Sequence, residues 1–189
     1  MHDIAARLEQ LKEAIVTDFP AEVGEPVDQT LYSRVSNFFR NGPHRKVLVF
    51  TSDGVDFQYD EDAKKDDDYE LEVGIWAAFD QVLEQAGQVL GAPLGHRPRD
   101  WSSVMDVGEY DDDHEGDSRD DTAWTPEYEQ GALMDCESDR TRYWFVNGRH
   151  VFLQAGILTG DDDIVGFVAM TVTPPVGDAQ PEGYWPPEQ

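Results

Sequence analysis

The stretch from Arg142 to Pro174, RYWFV-NG-RHVFLQAGIL-TGDDD-IVGFVAMTVTP, constrains the fold of this chain more than any other. Asn147-Gly148 is a two-residue hairpin signal, because a type I′ turn needs positive φ at both central residues and Asn-Gly tolerates it. The turn fixes the register: Val146 faces Arg149, Phe145 faces His150, Trp144 faces Val151 and Tyr143 faces Phe152. TGDDD at 159–163 makes a second turn. Three antiparallel strands are therefore predicted, at about 141–146, 149–157 and 164–173. Side chains alternate along a strand, so Trp144 and Val151 share one face while Tyr143, Phe145 and Phe152 share the other. With apolar residues on both faces, two readings stand: a central strand pair buried on both sides, or an aromatic face that receives a ligand.

Upstream, Ile4, Leu8, Leu11 and Ile15 recur at helical spacing over 2–18, and Pro20 follows. Val27, Leu31, Val35 and Phe38 suit a helix over 27–40, stopped by Asn41-Gly42-Pro43. KVLVF and VDFQY flank TSDG, which predicts a second hairpin with strands at about 46–51 and 55–60. DEDAKKDDD at 60–68 reads as a polar loop. A helix over 70–90 follows, with Ile75, Trp76, Phe79, Val82, Leu83 and Ala86 on its apolar face and Gly91 and Pro93 at its end. Residues 91–135 carry little periodicity. Because a structureless loop of that length is uncommon in a compact domain, short elements are expected around Trp101–Val107 or Tyr128–Met134.

These elements predict an α+β fold: an antiparallel sheet of about five strands, two or three helices packed on one face, and a long acidic insert at about 105–125. Residues 1–173 form a single domain in this reading. Residues 174–189, with five prolines in sixteen positions, form a flexible or extended tail.

Charge narrows the function. The chain has 40 acidic residues and 14 basic ones, a net charge of −26. Residues 1–52 hold seven acids and six bases, residues 53–139 hold 27 and five, and residues 140–189 hold six and three. The excess is confined to the middle. Adaptation to high salt explains acidity in general, but it should coat most of the surface; a local acidic surface explains the confinement. Nucleic acid and anionic membranes are repelled by such a chain, and basic proteins are attracted. No run of residues is long and apolar enough to span a bilayer, and MHDIAARLEQLKEAIV lacks the character of a secretory leader. One cysteine, Cys136, permits no intrachain disulfide. A cytoplasmic location is the expectation.

The densest acidic stretch is EYDDDHEGDSRDD, residues 109–121, with eight acids in thirteen positions. A calcium loop begun at Asp111 places Asp113 and Gly116 well. It then puts Arg119 at the ninth position and Thr122 where a bidentate Glu is needed, so an EF-hand is not supported. Asp53 with Asp62-Ala63-Lys64 loosely resembles a metal-dependent nuclease set, but a polar loop explains it better in so acidic a chain. His2, His44, His96, His114 and His150 form no paired metal motif, and His150 reads as a satisfied sheet histidine. The acids beside Cys136 raise its thiol pKa and argue against a nucleophile. GHRPRDW at 95–101, the basic cluster of the acidic middle, reads as pairing with nearby carboxylates. No nucleophile elbow, phosphate loop or dinucleotide fingerprint is present.

The expectation is thus a non-catalytic acidic protein that binds a basic protein partner, in concrete form an immunity or inhibitor protein of a toxin domain, with no cofactor or metal. The carboxylates assigned to the contact are Asp111, Asp112, Asp113, Glu115, Asp117, Asp120 and Asp121, with Asp66, Asp67 and Asp68 as a second patch. Two alternatives remain: a salt-adapted protein with a small ligand in an aromatic pocket, and an enzyme with dispersed residues.

Overall fold

The computed structural model describes residues 3–22, 24–25, 27, 40–43, 45–56, 64–95, 97–98, 140–159, 163–175, 177 and 184–185. Along the chain these form α1 (Ile4–Ala14), β1 (Lys46–Asp56), α2 (Lys64–Leu90), β2 (Arg97–Pro98), β3 (Arg140–Val146), β4 (Arg149–Thr159), β5 (Asp163–Val172) and β6 (Tyr184–Trp185). The fold is α+β. Four antiparallel strands lie in the order β1-β5-β4-β3, and β2 and β6 form a separate two-stranded pair. Residues 28–39 of the expected second helix, the short elements sought between 101 and 134, and the acidic insert at about 105–125 lie outside the described residues.

The β3–β4 hairpin has the register that Asn-Gly dictates. Val146 pairs with Arg149, Phe145 with His150, Trp144 with Val151 and Tyr143 with Phe152. Asn147 has φ 52° and Gly148 φ 71°, the positive values that a type I′ turn requires. β5 then returns alongside β4, pairing Thr159 with Ile164 and Val151 with Val172.

Two local expectations are corrected. The turn expected at Thr51–Gly54 is not formed: Lys46–Asp56 is one strand, and Asp53 and Gly54 pair with Gly166 and Val165 of β5, while residues 57–60 lie outside the described residues. Asp-Gly has turn chemistry, but continuous pairing along β5 satisfies the backbone over ten partner positions, and tertiary pairing overrides local propensity. The strand absorbs its irregularity as a bulge between Val49 and Thr51. Phe50, the extra residue, stays fully buried in the core. Among the described residues the main sheet has four strands. Likewise, the polar loop expected at 60–68 gives way at Lys64 to α2, which runs 27 residues. Asp is a poor helix former in the interior, but the positive end of the helix dipole favours carboxylates in the first turns, where Asp66–Asp68 fall.

α1 and α2 pack on one face of the sheet. Ile4, Leu8 and Leu11 of α1 and Ile75, Phe79 and Val82 of α2 meet Leu48, Phe50, Trp144, Leu153 and Met170. Each large apolar side chain sealed there contributes about 1.5–3 kcal/mol. Asp3 caps α1, its carboxylate accepting from Ala6 N–H at 3.3 Å. α2 ends at Gly91, whose φ of 84° is the left-handed cap conformation. The Gly91 carbonyl accepts from Trp144 Nε1 at 2.9 Å, which locks the helix end to the sheet. Gly166 is a close-approach glycine: a Cβ there would lie 2.5 Å from Ile75 Cγ1. Beyond α2 the chain lies along the outer edge of β3, with Leu94 N–H donating to Tyr143 O at 2.8 Å and Tyr143 N–H to Gly95 O at 2.9 Å. No helix among the described residues is long and apolar enough to cross a membrane.

Candidate functional site

The second face of the sheet is closed. Tyr143 and Phe152 are 0% exposed, Gln154 2% and His150 3%. Water has almost no access to these side chains, so the aromatic face is a packed interior rather than an open recess. Of the two readings of the hairpin, burial on both sides is the one observed.

At the centre of that face the Tyr143 hydroxyl lies 2.8 Å from His150 Nδ1. In the tautomer protonated at Nε2, Tyr143 donates and His150 accepts. Tyr143 and Phe152 pack with ring centroids 5.1 Å apart, and Phe145 meets the imidazole edge-on at 5.4 Å. Burial among these rings lowers the His150 pKa to about 4, so the imidazole is neutral at pH 7. A neutral, hydrogen-bonded imidazole enclosed by aromatic rings is a structural group. His150 is the satisfied sheet histidine its position in the hairpin implied.

Charge sorts itself sharply between inside and outside. All ten acids whose side chains are described, Asp3, Glu9, Glu13, Asp18, Glu22, Glu25, Glu70, Glu72, Asp80 and Glu84, are exposed. Of the eight bases described in the same way, Lys12 alone is exposed; Arg7, Arg40, Arg45, Lys46, Arg140, Arg142 and Arg149 are wholly or partly buried. Lys12 is itself matched by Glu9 at 2.6 Å.

Four of these partly or wholly buried cations lie on aromatic rings. Arg140 stacks its guanidinium 4.8 Å from the Trp76 ring and reaches Asp80 at 3.5 Å. Arg142 lies 5.7 Å from the Phe79 ring and donates to the Thr141 carbonyl. Arg149 and Lys46 flank Phe19, at 4.9 and 5.0 Å from its centroid. Guanidinium and ammonium groups are attracted to the negative face of an aromatic ring, and their stems cover apolar surface.

The sequence carried a signal for this arrangement. Arg140 and Arg142 alternate with Trp144 along β3, so all three share the helix-facing side, and cations there must meet α2. Arg149 precedes Val151 by the same step.

Of the residues assigned to partner contact, Asp66, Asp67 and Asp68 lie in the first turns of α2. Asp111, Asp112, Asp113, Glu115, Asp117, Asp120 and Asp121 lie outside the described residues, as do Cys136, His2, His44, His96 and His114. Asp53 sits within β1 and Lys64 opens α2. Among the described residues no group of three or more His, Cys, Asp or Glu side chains is placed to hold a metal ion.

Comparison with known protein families, with curated proteins and with solved structures returns no match.

Proposed function

We propose that this protein is a non-catalytic acidic binding protein that engages a basic protein partner, in its concrete form an immunity or inhibitor protein that neutralises a toxin domain in the cytoplasm. The observation that carries this reading is the placement of charge. Residues 53–139 hold 27 acids against five bases. All ten acids with described side chains are exposed, whereas seven of the eight bases described in the same way are partly or wholly buried.

A surface built in this way raises the local concentration of a cationic protein and accelerates its productive encounter. The acidic insert at about 105–125 is the steering element. Asp111, Asp112, Asp113, Glu115, Asp117, Asp120 and Asp121 pair with partner Lys and Arg, and Asp66–Asp68 form a second patch at the start of α2. Arg is the better partner for such carboxylates because its planar fork binds them bidentately.

The test is direct. The immobilised chain is exposed to cell extract at low and at high salt, and proteins released by salt are identified. Association of each cationic candidate is then timed. A partner that binds with salt-dependent on-rate, and whose toxic activity the chain suppresses, supports the reading. If only neutral or acidic proteins bind, or the bound protein's activity is unaffected by a saturating amount of the chain, the reading fails.

A further inference from the structure

In a chain with 40 acids and 14 bases, Lys46 and Arg149 place two cations side by side on one turn and one aromatic ring. Lys46 opens β1 and pairs with Val172; Arg149 opens β4, two residues before Val151, which pairs with Val172 on the other side of β5. The register therefore brings the two cations to the same end of the sheet, next to the turn that follows α1.

Both make contact with that turn. Lys46 Nζ donates to Thr17 Oγ1, and Arg149 Nη2 donates to the Thr17 carbonyl at 3.0 Å. Arg149 Nη1 reaches the Thr173 carbonyl at 3.4 Å. The Phe19 ring lies against both. Neither cation has a carboxylate within 4.0 Å among the described residues. Glu13 and Asp18 face Lys46 from farther away, and burial together with the Arg149 charge outweighs them, lowering the lysine pKa.

Holding the carboxyl end of α1 explains one cation, since the negative end of a helix favours positive charge. It does not explain two that repel each other. Lys46, Thr17 and Phe19 are half-buried and reachable from solvent, while Arg149 is 6% exposed and fixed by its carbonyl contacts. Beyond the contacts given, Lys46 retains two N–H donors and Arg149 its Nε–H among the described residues.

We infer that Lys46 and Arg149, with Phe19 as one wall, form a binding site for a small oxyanion, a phosphate or a carboxylate. The anion accepts from both cations and relieves their repulsion. The long-range field of a −26 chain opposes it, more strongly as the ligand's own charge rises. The site accordingly takes small anions and rejects polyanions.

The experiment uses the full chain labelled at its four lysines, titrated with inorganic phosphate while chloride is withdrawn to hold ionic strength constant. Sodium acetate forms a second arm. Side-chain NMR signals of the lysines report binding. One lysine is expected to shift saturably, to be assigned to Lys46 by its loss in Lys46→Gln, and to bind about tenfold more weakly or worse in Arg149→Gln. Where Arg149→Gln does not fold, the Phe19 ring signals of Lys46→Gln provide the control, and they should cease to respond. Saturation with phosphate alone, acetate alone or both supports the site and names its ligand chemistry. Signals that drift linearly with anion, or four lysines that move alike, overturn it.

Discussion

Replacing His150 and Tyr143 together by Phe should remove a specific acid sensitivity from the fold. In the native chain His150 is buried and its pKa falls from the ordinary 6.5 to about 4. The folded state thus favours the neutral imidazole, whereas the unfolded chain takes up a proton near 6.5. The stability held by this group is complete above pH 6.5. It is lost progressively as pH falls from 6.5 through about 4, because the unfolded state binds the proton first. A drop of that size is worth about 3 kcal/mol, a large part of an ordinary domain's stability. The paired substitution matters: Phe at 150 alone would remove the hydrogen bond between His150 and the buried Tyr143 hydroxyl, at a cost of about 1 kcal/mol that does not vary with pH. Urea unfolding at steps from pH 7.5 to 4 measures the effect. Carboxylate protonation acts on both proteins and cancels in the difference. The wild type should lose about 3 kcal/mol relative to the double variant across this interval. Parallel stability curves for the two proteins would refute the buried, neutral imidazole.

Other outcomes follow from packing and charge. Gly166→Ala pushes a methyl to within 2.5 Å of Ile75 Cγ1, so α2 must shift from β5 and the midpoint of thermal unfolding should fall by a loss of about 1–3 kcal/mol. Gly148→Val forces a β-branched residue to φ 71°, and should destabilise the hairpin by more than 1 kcal/mol in chemical denaturation while leaving the helix signal of the folded state intact. Raising KCl should stabilise the chain until its surface charges are screened, at about 0.5 M, and add little thereafter; stability that keeps climbing into the molar range would favour salt adaptation as the source of the acidity.

The hairpin and the helices were legible because each rests on a local signal. Asn147-Gly148 sets a register that no distant contact needs to supply, and α1 and the body of α2 show their buried stripes as periodicity. What was misread depended on partners far along the chain. Asp53-Gly54 resembles a turn until β5 pairs across it, and the acids after Lys64 resemble a loop until the helix dipole is counted. The position of the charge excess along the chain was plain in the sequence. The inward turn of the cations was readable in part: the alternation of Arg140, Arg142 and Trp144 places them on one face, but only the structure supplies the Trp76, Phe79 and Phe19 rings beneath them.

The acidic exterior is tested most directly by one rate. With a cationic partner in hand, its association rate is measured at low salt for the native chain and for a variant with Asp111–Asp113 and Asp120–Asp121 changed to Asn. Electrostatic steering predicts a fall of roughly tenfold or more that disappears at about 0.5 M salt, with dissociation changing less. An on-rate at low salt that is the same for both proteins would contradict the account.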